Sequence, residues 1–458
     1  MPDHFKPLDR DTLFLLPPSV QDWLPQDHLA RYIVDLVGKL DLKPIRASYA
    51  GRGSEAYQPE MMVALLFYGY ATGTFSSRKL ERATYDSVAV RFITANQHPE
   101  HDTISNFRLR FLPQVQAYFE QILLIAAESG LLKVGRVSID GTTVKANASK
   151  HHALSYGHAT KLERRIKREV QRLMRMAEKA DASERPDGLD IPAELARRED
   201  RLKAIDEAKA RIREREEQRI AAERTEYERK LKARREREQE TGKKTKGPRP
   251  EPPSRALDPK AQINLTDEES RIMPSADGMV QAYNAQAVVD CESQLVLSAE
   301  LSQRPTDRTL LAGAVAACQA LPQELGRVSE LLADAGYSSE GNVVLCEAAG
   351  ITPFISFGRE SHAGGLARFC LPKDLPEGAS PVDRARHRLT TPDGRAAYGQ
   401  RKATVEPVFG TIKQALGFRQ FLLRGVEKAR GEWKLVNAAR NIKRMDKLRA
   451  PGLTAWAW

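Results

Sequence analysis

A long charged segment interrupts this chain of 458 residues. Residues 155–240 are rich in Arg, Glu, Lys and Ala, and Pro186-Asp187-Gly188 forms a turn signal within them. This composition predicts two charged helices in an antiparallel hairpin, with a flexible linker over residues 242–253. A dimerising coiled coil is the alternative, but residues 161–250 lack sustained apolar heptads.

The residues on either side of this insertion carry the signals of an α/β fold. Helical patterns predominate over residues 1–130, with helices expected at 61–70, 77–94 and 103–129. A strand pattern begins at Val134 and is expected to end at Asp140, before Gly141. When residues 151–260 are left out, the remaining order is three strands, then helix, strand, helix, strand, helix. This order predicts an α/β domain with a mixed sheet, preceded by an all-α N-terminal domain.

Positive charge is concentrated in two stretches of a chain whose net charge is +11. Residues 161–250 carry 29 Lys or Arg against 21 Asp or Glu, and residues 401–450 carry 13 against 4. Such concentration is typical of proteins that bind a polyanion, so nucleic acid is the expected partner. The sequence shows neither a signal-peptide pattern nor an apolar run long enough to cross a bilayer, which predicts a cytoplasmic protein without a membrane partner.

Three acidic residues occur where this fold can bring them together. Asp140 and Asp334 each follow an apolar strand and precede a small-residue turn, and Glu406 belongs to the last helical segment, at a helix start or a kink because Pro407 follows it. Gathered carboxylates repel one another unless they are protonated or share a cation. Magnesium suits such hard oxygen ligands, and two ions roughly 3.5–4 Å apart catalyse phosphodiester chemistry. We therefore predict two Mg²⁺ ions, with Mn²⁺ as a possible substitute.

A basic residue is expected beside the third carboxylate. Positions seven apart on an α-helix differ by about 20°, so Lys413 and Glu406 are predicted to share a face. A phosphate-binding lysine and a metal ligand would then line one groove.

Four segments together resemble the catalytic segments of DDE-type bacterial insertion-sequence transposases. They are Ile139-Asp140-Gly141-Thr142, Tyr283-Asn284-Ala285-Gln286 with Val288-Val289-Asp290, Ala333-Asp334-Ala335-Gly336-Tyr337, and the run from Tyr398 to Lys413. The likeness extends to the N-terminal helical unit, Tyr57 to Arg108. Within that unit, the pattern of residues 101–108 indicates a capped helix start after a turn, which suits a helix-turn-helix and equally a small packing bundle. It implies an RNase H-like catalytic domain.

The resemblance also implies roles for individual residues. Asp140, Asp334 and Glu406 match the family's metal-binding triad, and Tyr398, Arg401 and Lys413 match its DNA-contacting tyrosine, arginine and lysine. Four residues separate Arg401 from Glu406 where the usual pattern has three, so Lys402 is the alternative for the basic role.

Four domains are predicted along the chain. They are a helical, DNA-binding N-terminal domain (1–130), the RNase H-like catalytic domain (131–150 and 261–420), the charged hairpin with its linker (151–260) and a basic helical tail (421–458).

The predicted function is that of a transposase. It would cut double-stranded DNA at the terminal inverted repeats of its own element and join the freed ends to target DNA, working as a homodimer in the synaptic complex. A catalytically inactive DNA-binding descendant, an RNase H-like nuclease and a coiled-coil interaction protein are the alternatives.

Overall fold

The computed structural model describes residues 19–49, 56–181, 191–242, 244, 249–253, 257–275, 278–358, 375 and 378–449. The predicted turn at Pro186-Asp187-Gly188 and part of the predicted linker, residues 243 and 245–248, lie outside the described residues. The chain divides into two units, one formed by residues 1–145 with 283–458 and the other by residues 146–282. Both the predicted N-terminal domain and most of the predicted catalytic domain belong to the first unit, and the predicted boundaries themselves stay a prediction.

The N-terminal part is helical, as predicted. Its helices are α1 (Val20–Trp23), α2 (Leu29–Val37), α3 (Lys43–Ala47), α4 (Pro59–Thr72), α5 (Ser77–Asp86), α6 (Val88–Ile93), α7 (His101–Phe111) and α8 (Val115–Glu128).

Two helices predicted as continuous are each divided, so those predictions were wrong in detail. Ser87 has an extended backbone and its hydroxyl accepts from the amide of Val90, so it ends α5 and caps α6. A short 3-10 turn that contains Pro113 separates α7 from α8, because proline cannot donate the hydrogen bond that a continuous helix needs.

The strands form a mixed sheet, which confirms the predicted α/β class. They are β1 (Val134–Lys145), β2 (Ala153–Ser155), β3 (Gln262–Asn264), β4 (Arg271–Ser275), β5 (Gly278–Asp290), β6 (Val296–Ser302), β7 (Gly326–Ala333) and β8 (Thr352–Ile355). In the first unit the order is β6-β5-β1-β7-β8, with β5 and β6 antiparallel and β1, β7 and β8 parallel.

The second unit contains the charged hairpin. It has α9 (Tyr156–Asp181) and α10 (Ile191–Thr241), the pair β2 and β3, and β4 against the first residues of β5. Arg198 pairs with Glu169 and Lys209 with Glu163, so residue numbers rise along one helix as they fall along the other. The helices are therefore antiparallel, as predicted.

The remaining helices belong to the first unit. They are α11 (Leu311–Gln319), α12 (Glu340–Ala348), α13 (Pro381–Thr390), α14 (Pro392–Gly410) and α15 (Val426–Arg449). Among the described residues, none of the helices combines the length and apolar character that a membrane span requires.

Helix α15 is a central element of the first unit, although its sequence is basic. Its Glu432 is fully buried, accepts from the Tyr70 hydroxyl at 3.0 Å and also accepts from the backbone amide of Leu422. Burial lowers the pKa of Arg440 to about 9, and this guanidinium donates to the backbone carbonyl of Gln294. Part of the positive charge in residues 401–450 is therefore bound to protein rather than free for DNA.

Candidate active site

Two of the predicted carboxylates lie side by side because of strand register. Strands β1 and β7 are parallel, and Ser138 is the partner of Leu332. Asp140 lies two residues after Ser138 on β1, and Asp334 lies two residues after Leu332, immediately beyond the end of β7. Since neighbouring strands are about 4.8 Å apart, the sheet itself brings the two aspartates together.

The local settings of the two aspartates differ from each other. Asp334 follows the end of β7, and its Oδ1 accepts from the amide of Gly336 at 2.8 Å, as expected for a residue that begins a turn. Asp140 was predicted to end its strand, and this was wrong, because β1 continues to Lys145. The continuation is stabilised by Lys145, whose amide donates to the carbonyl of Arg419 at 3.1 Å.

Glu406 lies inside α14 and not at a helix start. Thr391 caps this helix at its N-terminus, fifteen residues before Glu406, and Pro407 sits within it. Proline has no amide hydrogen, so it leaves the carbonyl of Ala403, four residues earlier, without its helical partner. The side chain of Gln294, in the turn between β5 and β6, donates to that carbonyl at 3.0 Å. This contact replaces the lost bond and lets the helix continue through Pro407.

Arg401 connects the helix to the sheet. Its Nη1 lies 3.4 Å from Oδ2 of Asp140, and its Nη2 lies 3.4 Å from Oε1 of Glu406. These distances exceed the 2.7–2.9 Å of a strong charge-assisted hydrogen bond, so the guanidinium is held loosely between the two acids.

The electrostatic setting of Asp140 combines burial with nearby like charges. Burial, the largest effect, and the carboxylates of Asp334 and Asp307 raise the pKa of this carboxyl to about 6, while the amide of Gly141 and the guanidinium of Arg401 act in the opposite direction. The negative charge of Asp140 is therefore less favourable than that of an ordinary aspartate, and a nearby cation would stabilise it.

Asp307 is a fourth acidic residue at this site, and sequence reasoning missed it. Its Oδ1 accepts from the side-chain amides of Asn284 at 2.7 Å and Gln286 at 2.8 Å. Gln286 in turn accepts from the buried hydroxyl of Tyr337, three residues after Asp334. Because a carboxylate can only accept, Asp307 fixes the direction of this hydrogen-bond chain.

One sequence signal pointed to this network. Asn284 and Gln286 are polar residues two apart on a strand that is mostly apolar, and buried amides need partners. Gly141 permits their approach, since a Cβ at that position would lie 2.1 Å from Nε2 of Gln286. Nothing local in the sequence distinguishes Asp307 from an ordinary turn residue.

Two family models match the chain on either side of the insertion. Transposase domain (DUF772) matches residues 18–110, which hold α1 to α7, and Transposase DDE domain matches residues 376–446, which hold Arg401 and Glu406. Together the two matches support an insertion-sequence transposase of the DDE type. No curated protein and no solved structure matches it. Asp140 and Asp334 lie outside both matched segments of the transposase, so their roles stay predictions.

The side chain of Lys413 is hydrogen-bonded to the first strand, β1. Residues Thr411–Ala415, which include Lys413, form a π-helix. Nζ of Lys413 donates to Oγ1 of Thr142 at 2.5 Å and to the carbonyl of Thr143 at 2.7 Å, and burial lowers the pKa of its ammonium.

The other two predicted DNA-contacting residues differ in exposure. Tyr398 is half-buried, and burial raises the pKa of its hydroxyl, whereas the nearby side chains of Ser356 and Arg401 act in the opposite direction. Lys402 is exposed on the surface of α14. Of the two adjacent basic residues, Arg401 therefore faces the carboxylates and Lys402 faces solvent.

The carboxylates of this site are the kind of donor that Mg²⁺ prefers. In the described part of the chain, no three His, Cys, Asp or Glu side chains are already arranged to hold a metal ion. The partly buried, mutually repelling carboxylates of Asp140 and Asp334 and the loosely held Arg401 nevertheless fit a divalent cation, which would relieve the repulsion.

Proposed function

We propose that this transposase cuts double-stranded DNA at the terminal inverted repeats of its own insertion sequence and joins the freed 3′ ends to target DNA. The observation that supports this most directly is the register of β1 and β7, which sets Asp140 beside Asp334 while α14 brings Glu406 towards them through Arg401. The strand order of the first unit, 3-2-1-4-5 when its strands are numbered in chain order, supports the RNase H-like fold that the resemblance implies.

Asp140, Asp334 and Glu406 are the residues that would hold the metal. Two Mg²⁺ ions, or Mn²⁺ in their place, supply an activated hydroxyl and stabilise the departing oxygen of a phosphodiester. Glu406 is half exposed, with 52% of its side chain accessible, so it has freedom to turn towards the aspartates. When the cation is absent, Arg401 balances the negative charge of Asp140 and Glu406. Once a cation balances that charge, the guanidinium of Arg401 would be available to contact phosphate.

The remaining contacts hold DNA beside these acids. Three residues are proposed to contact the transposon end: Tyr398 and Lys402 on α14, and Lys413 just after it. Lys402 would reach phosphate from the exposed side of the helix. The helical N-terminal domain is proposed to bind the inverted repeats, and a homodimer to pair the two ends. Among its helices, α7 buries Ile104, Phe107 and Arg108, and Arg108 donates to the carbonyl of Phe75, which supports a packing role for this face of the helix.

The decisive experiment replaces Asp140 by Asn in the full-length protein. The substitution keeps the size of the side chain and removes one charge, so cleavage and joining should both be lost in Mg²⁺ and in Mn²⁺. Binding of end DNA should persist or strengthen, because less negative charge faces the phosphates. The substrates are intact and pre-nicked duplexes that carry the inverted repeats found on either side of the gene.

Glu340→Gln is the matched control, because it removes an exposed acid at the start of α12. It should cut and join as the wild type does. Near-normal joining by Asp140→Asn would overturn the carboxylate mechanism. Wild-type protein that cuts without joining would be a nuclease, and wild-type protein that binds without cutting would be an inactive descendant, so either result would overturn the proposed function.

A further inference from the structure

Helix α9 of the charged insertion has two different faces. The apolar face packs against α10 in a core that includes Ile166, Ile205 and Ile212. The opposite face carries five exposed cations. We define these as the α9 basic stripe: Lys161, Arg164, Arg168, Arg172 and Arg175.

The spacing of the stripe makes it one continuous surface. Its members are three, four, four and three residues apart along the helix. At 100° per residue they fall within about 80° of arc, and at 1.5 Å per residue they extend over about 21 Å. A straight row of positive charge therefore runs along the solvent side of α9.

The stripe is not neutralised by acids. Over residues 156–176 the helix has seven Lys or Arg and two Asp or Glu. Among the residues that the structure describes, no member of the stripe forms an ion pair, and its one internal contact is from Nε of Arg168 to the carbonyl of Arg164 at 3.3 Å.

Helix α10 differs from α9 in its balance of charges and in the ion pairs that its arginines form. Residues 191–241 carry sixteen Lys or Arg against fourteen Asp or Glu. Many of its arginines are bound to a glutamate one turn away. Four such pairs are Arg219 with Glu216, Arg224 with Glu228, Arg229 with Glu226 and Arg234 with Glu238.

We propose that the α9 basic stripe binds the phosphate backbone of duplex DNA, and that α10 contributes little to this binding. The inference rests on the proposed function, in which the transposase holds DNA. An arginine already paired with glutamate gains less from a phosphate, because it must first give up its partner. An unpaired arginine gains the full contact, and each neutralised phosphate releases condensed counterions.

The geometry favours DNA over an acidic polypeptide as the occupant. Over about 21 Å of duplex axis one strand advances by roughly six phosphates at 3.4 Å each, and the stripe would contact those that face α9, because the strand winds around the duplex. Four of the five members are arginines, whose planar guanidinium groups bind phosphate oxygens in pairs. Contacts of this kind are independent of base sequence, so target DNA and end DNA should both be bound.

The test compares two full-length variants that lose four charges each. In the stripe variant, Arg164, Arg168, Arg172 and Arg175 become Gln. In the matched control, Arg219, Arg224, Arg229 and Arg234 become Gln. Glutamine retains helix propensity, and circular dichroism with thermal unfolding verifies that each hairpin folds. Binding to a duplex without end sequences is measured by fluorescence anisotropy over a series of salt concentrations.

The salt slope is the magnitude of the slope of the logarithm of the binding constant against the logarithm of the salt concentration. It should be lower by 3 to 4 in the stripe variant, since each phosphate contact contributes about 0.9, and it should change by less than about 1 in the control. A third variant with the same four positions changed to Lys should keep the wild-type slope. An unchanged slope in the stripe variant, an equal loss in both glutamine variants, or equally tight binding of polyglutamate would overturn the proposal. Cleavage of end DNA by the wild type is measured in parallel. If it cuts and joins while the stripe variant keeps its slope, this inference alone fails.

Discussion

Arg401 lies with its Nη1 3.4 Å from Oδ2 of Asp140, although the two residues are 261 positions apart in the chain. The same guanidinium reaches Glu406 at 3.4 Å. Arg401 is thus the cation of the site when no metal is bound, and its side chain is only 12% exposed. This relationship favours Arg401 over the adjacent Lys402 as the basic residue that acts with the carboxylates.

Arg401→Ala should slow end cleavage by about tenfold or more, equivalent to about 1.4 kcal/mol, because the variant leaves Asp140 and Glu406 without their shared partner. Lys402→Ala should leave the cleavage rate of bound DNA nearly unchanged and weaken DNA binding slightly, since Lys402 is exposed. Single-turnover cleavage at saturating protein separates the two effects. Impairment by Lys402→Ala alone would show that the basic role belongs to Lys402.

The raised pKa of Asp140 predicts how metal-free stability changes with pH. Its value of about 6 in the folded state lies above the ordinary 3.8, so the folded protein binds this proton more tightly and loses stability as pH rises from about 4 to 6. Asp334, Asp307 and Arg401 face this carboxyl. Asp140→Asn removes the effect and should be more stable than wild type by on the order of 3 kcal/mol at pH 7.5.

Denaturant unfolding in EDTA at pH 4 and pH 7.5 measures this difference. The advantage of Asp140→Asn over wild type should shrink or disappear at pH 4, where the wild-type carboxyl is protonated. An advantage of the same size at both pH values would contradict the assignment of the shift to Asp140.

Gln294 is expected to support the helix that carries Glu406. Gln294→Met keeps the length of the side chain but removes the donor to the carbonyl of Ala403, which should cost about 0.5–1.5 kcal/mol. End cleavage should also slow, because α14 positions Arg401 and Glu406. Adding Pro407→Ala restores a helical donor to the same carbonyl, so the double variant should regain stability. Additive losses in this double-mutant cycle would contradict the role of Gln294.

Asp307 is expected to act as a positioning residue. Asp307→Ala removes the acceptor of the Asn284 and Gln286 amides, so it should raise the Mg²⁺ concentration needed for half-maximal cleavage. Asp307→Asn keeps an acceptor oxygen and should restore most of the wild-type behaviour. Equal impairment of both variants would show instead that the negative charge of Asp307 acts directly.

Lys413→Met is expected to affect both stability and DNA binding. The apolar replacement keeps the stem but removes the bonds to Thr142 and Thr143, so the melting temperature should fall by a few degrees. Affinity for end DNA should also fall, since the ammonium is proposed to meet phosphate. Lys413→Arg, which keeps the charge, is the control. Normal affinity of Lys413→Met for end DNA would assign Lys413 a purely structural role.

The sequence determined the features that depend on local pattern. Local helix and strand patterns predicted the order of helices and strands outside the insertion, the charged composition predicted the antiparallel hairpin, and the resemblance predicted the transposase family. These features depend on residues that are neighbours in the chain. The prediction that β1 ends at Asp140 was wrong, because the strand is prolonged by a hydrogen bond between Lys145 and Arg419, which are far apart in the chain.

Only the tertiary structure decided which side chains meet. The register of β1 against β7 set Asp140 beside Asp334, and an amide network that closes across strands brought Asp307 to them. The basic residues of α15 looked free in the sequence, yet Arg440 is buried and bonded to a carbonyl. Charge can be counted from a sequence, but whether a charge meets solvent, a carbonyl or another charge depends on packing between distant segments.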